Sequence, residues 1–266
     1  MLWDTHMHTH FSGDSDANFM EMVNAAQNSH LDGICFTDHL DLDYPNAPEE
    51  FLLDIPSYFK EYFKVQDHCS SFPICIGLEI GLQPHLAHSL PQITHSYPFD
   101  FVIGSSHVVH HQDPYYPEYY FGKTEDEAYL EYFESILENL SAFDCFDVYG
   151  HIDYVVRYGP NTNTYYTYDK FSDVLDEILR TLIQKGKGIE LNTGGFKYGL
   201  GHPNPTEAIL KRYKELGGSI ITIGSDAHKP EHVAYDFQKV SAILKHAGFE
   251  YYTVFKHRIP HFFPLF

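Results

Sequence analysis

Cations are scarce in this chain: 17 lysines and arginines stand against 37 aspartates and glutamates in 266 residues, a formal net charge of -20. A mean field of that sign repels polyanions, and no local basic track interrupts it. Long nucleic acid is therefore not an expected partner, although a small anion can still be drawn to one well-placed cation. No segment approaches the roughly 20 consecutive apolar residues that a membrane helix needs, so no membrane partner is expected. Met1-Leu2-Trp3-Asp4 passes at once into polar residues rather than into a secretory signal, which points to a cytoplasmic chain. Cysteine is also sparse. Cys35, Cys69, Cys75 and Cys145 form no CxxC pair, and Cys35, Cys75 and Cys145 lie in or beside apolar runs, so they read as buried free thiols rather than as a disulfide framework. Repeats, low-complexity tracts and linkers are absent, which leaves residues 1–266 as one expected domain.

What is present is a hydrophobic content of 43%, arranged as short apolar runs alternating with longer amphipathic ones. That alternation is the mark of βα units around a parallel sheet or barrel, and the length suits a single α/β barrel. Seven strands are expected: Leu2 to His8, Gly33 to Thr37, Pro73 to Leu78, Phe99 to Gly104, Phe146 to Tyr149, Gly188 to Leu191 and Ser219 to Ile223. Tyr251 to Phe255 is expected to add an eighth strand or an edge strand. Thr124 and Glu127 form a capping box, after which Tyr129, Tyr132, Phe133, Ile136, Leu137 and Leu140 recur at helical spacing. A second helix is expected from about Tyr168 to Gly186, with Phe171, Val174, Leu175, Ile178, Leu179 and Leu182 on one stripe. A third is expected to take Pro205 as its first residue and to stop at Gly217-Gly218. Gln83 to Pro98 and Tyr115 to Gly122 read as long loops.

The chemistry is announced by position. Asp4-Thr5-His6-Met7-His8 closes the first strand, Thr37-Asp38-His39 the second, Gly77-Leu78-Glu79 the third and Ser105-Ser106-His107 the fourth. Gly150-His151-Ile152-Asp153 closes the fifth, and Ser225-Asp226-Ala227-His228 the seventh. Barrel enzymes build their sites at these C-terminal strand ends. Residues two apart in a strand share a face, so His6 and His8 can hold one ion together. Any one such histidine reads blandly as a core or loop residue; six of the chain's 19 at strand ends do not. The other 13 keep the bland reading, with His10, His110 and His111 noted as neighbours of ligand strands. Imidazole and carboxylate without thiolate suit Zn, Mn or Fe in a catalytic rather than a structural site. Glu79 is the candidate bridge between ions, and part of the acidity is offset by any metal bound.

Asp4-Thr5-His6-Met7-His8-Thr9, Thr37-Asp38-His39, Glu79, His107, His151 and Ser225-Asp226-Ala227-His228 resemble the polymerase and histidinol phosphatase (PHP) family over nearly the whole chain. The resemblance implies a distorted (β/α)7 barrel, TIM-barrel-like, with two or three divalent ions (Mn, Zn or Fe) that hydrolyses phosphoesters. It assigns one ion to His6, His8, Glu79 and Asp226, a second to Glu79, His107 and His151, and a third to Asp14, His39 and His228. Asp14 stands where several family members carry His. Gly122-Lys123-Thr124, the stretch Gly150 to Tyr158 and Glu190 to Gly195 resemble the histidinol-phosphate phosphatase branch, which implies L-histidinol phosphate as substrate, in histidine biosynthesis.

The residues themselves lead as far as a small phosphomonoester. Arg157 and Lys197, after the fifth and sixth strands, are the cations placed to clamp phosphate oxygens. Glu79, Asp226 and His39 are the candidate catalytic groups, with Asp226 or His39 as general acid or base. The nearest rival, an amidohydrolase, also opens with His-x-His and uses a late Asp, but it ordinarily carries a bridging Lys after the fourth strand, and none follows His107 closely. A PHP-type nuclease on short nucleotides is a second rival. A metal-binding docking module is a third, from outside the enzymes; it predicts lost ligands, and no expected position is empty. His261-Phe262-Phe263-Pro264-Leu265-Phe266 reads as an apolar tail packed on the barrel rather than as a partner-facing patch, and a homo-oligomer stays open.

Overall fold

In the computed structural model, which describes residues 1–266, the strands are β1 (Trp3–Asp4), β2 (Gly33–Phe36), β3 (His39–Leu40), β4 (Ile74–Gly81), β5 (Phe101–Ser105), β6 (Val148–Tyr149), β7 (Gly188–Asn192) and β8 (Ile221–Gly224). They pair in the order β1-β2-β4-β5-β6-β7-β8, with every neighbour parallel. β2 and β3 are one strand broken at Thr37-Asp38: Ile34 to Phe36 pair with Ile74 to Ile76, and His39-Leu40 pair with Glu79-Ile80. The ring is drawn shut between β8 and the stretch after β1. There Thr5 N donates to Ile223 O at 2.9 Å, Asp226 N to His6 O at 2.9 Å and His8 N to Ala227 O at 2.8 Å. The architecture is thus the expected seven-position α/β barrel, distorted because β1 and β6 are each only two residues long.

All eight residues of β4 are buried, as a parallel strand requires when helices cover one face and side chains fill the barrel on the other. The helices are α1 (Phe19–Asn28), α2 (Ile55–His68), α3 (Ser89–Ser96), α4 (Glu125–Ala142), α5 (Ser172–Gln184), α6 (Gly194–Lys197), α7 (Glu207–Glu215) and α8 (Val240–His246). α4 begins at the Thr124–Glu127 capping box and buries Tyr129, Tyr132, Phe133, Ile136 and Leu140. Each large apolar side chain buried on that face contributes on the order of 2–3 kcal/mol of transfer free energy. α5 buries Leu175, Ile178, Leu179 and Leu182, and the chain leaves it through Gly186 at φ 68°. A left-handed residue of this kind ends a helix without Cβ strain. The core is one cluster of 69 buried residues running from Trp3 to Phe255.

Four local expectations give way. The first strand pairs in a ladder only over Trp3-Asp4, because the residues beyond it bond alternately to β8 and to Thr37, whose N donates to Met7 O. Gln83 to Pro98 is not plain loop: it holds a 3-10 turn, Pro84–Leu86, and α3. Tyr115 to Gly122 likewise holds the 3-10 turn Pro117–Tyr120. Pro205 precedes the N-cap position of α7 rather than opening the helix. The reason is Asp153, which accepts from Asn204 Nδ2 at 2.6 Å and Thr206 N at 2.9 Å and so holds this segment extended until Glu207.

Tyr251 to Phe255 is neither an eighth barrel strand nor an edge. It lies in β9 (Tyr251–Lys256), which pairs antiparallel with β10 (Ile259–Pro264) in a separate hairpin. The two turn residues, His257 and Arg258, both have positive φ (50° and 63°), as a tight hairpin of matching twist needs. The hairpin lies against the strand-start end of the barrel. Phe255 stacks on Phe101 at 5.2 Å, Arg258 Nε donates to Asp147 Oδ2 at 2.5 Å and His257 N to Asp100 Oδ1 at 3.0 Å. In the tail, Phe263 packs on Tyr252 while Phe262 and Phe266 stay about half exposed. No helix is long and apolar enough to cross a membrane.

Candidate metal centre

At the opposite end, where the strands finish, the side chains singled out in the sequence converge. Alternation along the chain turns His6 and His8 to the same side, and their Nε2 atoms stand 3.1 Å apart with no exposed surface. Glu79, fully buried on β4, faces both. Its Oε2 lies 3.0 Å from His6 Nε2, 3.4 Å from His8 Nε2 and 3.3 Å from His39 Nδ1. Its Oε1 lies 2.8 Å from His151 Nε2 and 3.2 Å from His107 Nε2, and accepts from Ser105 Oγ at 2.7 Å. One carboxylate thus presents each oxygen to a different set of imidazoles, which is the geometry a bridge between two cations requires.

Asp226 closes the first set, with Oδ1 3.8 Å from His6 Nε2 and 3.5 Å from His8 Nε2. It sits just past β8 with φ 55°, a left-handed conformation that Asp tolerates better than most residues. The third set stands beside these. His228 Nε2 lies 3.0 Å and His39 Nε2 3.8 Å from Asp14 Oδ2. The His8 ring lies against both neighbours, stacked at 4.2 Å on His39 and 4.0 Å on His228. His8-His39-His228, His6-His8-Glu79 and His39-Glu79-His107 each bring one donor atom per residue within 4.8 Å of the others.

Residues that position these groups form an outer layer, and two of them escaped the sequence reading. Glu190, on β7, accepts from His6 Nδ1 at 2.7 Å; Asp41 accepts from His107 Nδ1 at 2.7 Å. Both bonds turn the opposite ring nitrogen, Nε2, toward Glu79. The available signals were a lone carboxylate inside the apolar run Gly188 to Leu191, and an acid two residues beyond His39. Ser12 Oγ meets His8 Nδ1 at 3.1 Å.

Electrostatics divide the cluster. Burial opposes charge on His6, His39 and His107, but facing carboxylates overcome it. Glu190 and Glu79 raise His6 well above the ordinary imidazole range, Asp41 and Glu79 do the same for His107, and Glu79 and Asp14 raise His39 to about 9. His8 goes the other way, lowered by burial and by His228 and His39 beside it. Glu79 and Asp226 stay well below the usual carboxylate range in spite of burial, held there by His6 and His107 and by Arg157 and His6 respectively. His151 Nδ1 is buried without a hydrogen-bond partner, and His39 Nδ1 and His228 Nε2 face carboxylate oxygens, of Glu79 at 3.3 Å and Asp14 at 3.0 Å, outside hydrogen-bond geometry. Imidazoles packed against carboxylates, with no thiolate among them, fit divalent ions, which neutralise the carboxylates and take nitrogen lone pairs.

The centre opens into a cleft lined by Tyr154, Tyr158 and Tyr198 as well as by the ligand candidates. Arg157 lines it from a 3-10 turn, Tyr154–Arg157, and is buried. Nε donates to Asn204 Oδ1 at 2.8 Å, Nη1 to Asp226 Oδ2 at 2.9 Å and Nη2 to Asn192 Oδ1 at 3.2 Å. Lys197 is not among the cleft residues; its Nζ donates to the Asp226 carbonyl at 2.8 Å and so braces that segment from behind. His10, His110 and His111 also lie outside the cleft, and His110 is taken up by Glu131 and Glu138.

Comparison with known proteins adds to this geometry. The model of the PHP domain matches residues 4–194. A probable histidinol-phosphatase of Clostridium acetobutylicum is 36% identical over 244 residues, covering 90% of this chain and 91% of its own. A histidinol-phosphatase of Lactococcus lactis is 35% identical over 257 residues, covering 95% and 93%. The crystal structure of histidinol phosphate phosphatase from Lactococcus lactis, in complex with zinc, L-histidinol and phosphate, superposes with a TM-score of 0.91 at 34% identity and covers 98% of each chain.

Proposed function

The chain belongs to the PHP domain family, and from that premise we propose that it is a metal-dependent phosphatase that hydrolyses L-histidinol phosphate to L-histidinol and inorganic phosphate. The observation that carries this reading is the pairing of a complete imidazole and carboxylate cluster centred on Glu79 with full-length similarity to histidinol-phosphatases. Residues 1–266 act in it as one phosphoesterase domain.

His6, His8, Glu79 and Asp226 would hold one ion, Glu79, His107 and His151 a second, and Asp14, His39 and His228 a third. Two or three ions of Zn, Mn or Fe are proposed, zinc being favoured by its presence in the Lactococcus relative. When bound, such ions draw charge from phosphoryl oxygens and lower the pKa of water. The chain's own groups do the rest. Glu79 spreads one negative charge over two facing sets of imidazoles and holds them at fixed separation. Arg157, locked by three internal acceptors, lines the cleft with guanidinium N–H groups still unused, so a phosphate oxygen can take a charge-assisted hydrogen bond without the arginine first losing conformational freedom. Asp226 remains ionised because Arg157 and His6 favour its anion, the form that holds a cation; so low a pKa also makes it a weak base. His39 holds a proton to about pH 9 when no ion competes for its nitrogens, the property needed in a donor to a departing alkoxide. Its place beside Asp14 and His228 makes it a ligand candidate as well. The substrate is a small phosphate ester; a protein of charge -20 offers long nucleic acid no track.

Protein stripped of metal and reloaded with Zn, Mn or Fe should release phosphate from L-histidinol phosphate in strong preference to other phosphomonoesters and to a short dinucleotide. Preference for a different ester would overturn the substrate while keeping the chemistry.

A further inference from the structure

Asp153 occupies the N-cap position of the 3-10 turn Tyr154–Arg157, where an aspartate ordinarily accepts from the first free N–H groups of the turn. Its carboxylate makes no such bond. It is fully buried and reaches instead to the segment before α7, Oδ1 accepting from Asn204 Nδ2 at 2.6 Å and Oδ2 from Thr206 N at 2.9 Å. Both donors are neutral, and a buried charge needs compensation. That compensation lies one group away, because Asn204 Oδ1 accepts from Arg157 Nε at 2.8 Å.

The two ends of this chain force its direction. A carboxylate only accepts and a guanidinium only donates, so the amide between them has one orientation, NH2 toward Asp153 and oxygen toward Arg157. The buried negative charge also polarises the amide and makes its oxygen the better acceptor. Asn204 itself is fixed, since its backbone N and O both pair with Asn192 at the end of β7, each at 2.8 Å. Asn192 repeats the arrangement from another side, with Nδ2 donating to Glu190 Oε2 at 3.1 Å and Oδ1 accepting from Arg157 Nη2 at 3.2 Å. Glu190 bonds to His6 as well, whereas Asp153 bonds to none of the ligand candidates. Asp153 therefore acts on the arginine without acting on the metal centre.

Resting on the phosphatase reading above, in which Arg157 meets the phosphate, we propose that Asp153 is a positioning residue for that arginine: by fixing the Asn204 amide it fixes the plane in which the guanidinium meets a phosphate oxygen. In Asp153→Asn the new amide keeps its oxygen on Thr206 N and turns its NH2 on Asn204. Asn204 then either reverses, setting its own NH2 against Arg157 Nε, or is left with two NH2 groups face to face. Both arrangements displace the guanidinium. Exchanging the pair, Asp153→Asn with Asn204→Asp, restores a match at every step, because a carboxylate at position 204 accepts both from an amide at position 153 and from Arg157 Nε.

The test measures kcat/KM for L-histidinol phosphate, affinity for inorganic phosphate by calorimetry, and metal content. It compares metal-loaded wild type, Asp153→Asn, the exchanged pair, Arg157→Lys, and Arg157→Lys combined with Asp153→Asn. A displaced guanidinium predicts a fall of roughly 10-fold or more in kcat/KM for Asp153→Asn, with phosphate affinity weakened in parallel and metal content unchanged. The exchanged pair should return to within about threefold of wild type, as coupled partners do when their match is restored. Arg157→Lys has no Nε to meet Asn204, so in that background Asp153→Asn should change kcat/KM by less than about twofold. An aspartate that only stabilised the fold would lower activity by the same factor in both backgrounds, and that result would overturn the assignment. No loss in Asp153→Asn, or an exchanged pair no better than the single variant, would overturn it too. If Asp153→Asn does not fold, the exchanged pair decides: near wild-type kcat/KM supports the assignment, and a 10-fold loss in a folded pair overturns it. Arg157→Lys with wild-type turnover and phosphate affinity would overturn the arginine's role and the positioning with it. Wild type inactive on L-histidinol phosphate would overturn the substrate reading alone, and phosphate affinity would then settle the positioning.

Discussion

Exchanging Glu190 for glutamine changes almost no volume and yet disturbs the metal centre, because the position needs an acceptor on both oxygens. Glu190 takes a bond from His6 Nδ1 at 2.7 Å on Oε1, and from Asn192 Nδ2 at 3.1 Å and His151 N at 3.2 Å on Oε2. A glutamine has one oxygen to offer. With that oxygen toward His6, its amide NH2 confronts two other donors in a fully buried place, which costs about 1–3 kcal/mol for the unmet groups. With the amide reversed, NH2 faces His6 Nδ1 and drives the ring proton to Nε2, the atom 3.0 Å from Glu79 and 3.1 Å from His8. An Nε2 that carries a proton has no lone pair for an ion. Either arrangement weakens the His6 position, and loss of such a supporting partner lowers metal affinity by roughly 10- to 100-fold, or about 1.4–2.7 kcal/mol. A competitive chelator titration with zinc on wild type and Glu190→Gln measures this directly. Wild-type zinc affinity with unchanged phosphate release in the variant would refute the reasoning.

Other perturbations test other links. A methyl group at Gly81 would stand 1.8 Å from Asp41 Oδ1, so Gly81→Ala should push Asp41 off His107 and lower metal affinity about tenfold; metal titration of both Gly81→Ala and Asp41→Asn should agree, and an unaffected Gly81→Ala would break the link. His39 holds its proton to about 9, and His6 and His107 also hold theirs well above the ordinary value. Raised pKa values mean that protons compete with metal throughout neutral pH, so loading should release more than one proton per chain and tighten as pH rises toward 9. Calorimetry in buffers of different ionisation enthalpy measures that release, and a buffer-independent heat would contradict it. Arg157→Lys should lower kcat/KM on the order of 10- to 100-fold with metal content retained, since an ammonium cannot reproduce the three-way fork. Phe133→Ala, in the core beneath α4, should cost about 3–5 kcal/mol by urea unfolding while leaving turnover per folded molecule intact.

The barrel and the membership of the cluster were legible because each depends on short-range rules. Runs such as Ile74 to Leu78, short, rich in β-branched residues and preceded by Pro73, fit doubly covered parallel strands better than helices, and the two-residue spacing of His6 and His8 survives any error in strand length. Glu190 and Asp41 were harder to see. Their role depends on which nitrogen of His6 and His107 points inward, a tertiary fact with only a weak trace in the chain. Pro205 misled because its cap chemistry is sound locally, and Asp153, some fifty residues earlier, overrides it. The β9–β10 hairpin has the alternation of any half-covered strand; tertiary contacts, among them the ion pair of Arg258 with Asp147, the bond of His257 N to Asp100 and the stacking of Phe255 on Phe101, hold it at the strand-start end of the barrel rather than in the ring. Arg157 was found as a cation after a strand, but its bonds to Asp226, Asn192 and Asn204 bring together three segments that sequence cannot align.

The most direct test of the central claim is the rate of phosphate release from L-histidinol phosphate followed against metal bound per chain, beginning from fully stripped protein. Activity near zero without metal, rising to a plateau at two or three ions per chain and absent in Glu79→Gln, is the result this account predicts. Full turnover by the stripped protein, or by a Glu79→Gln variant that retains its metal, would contradict it.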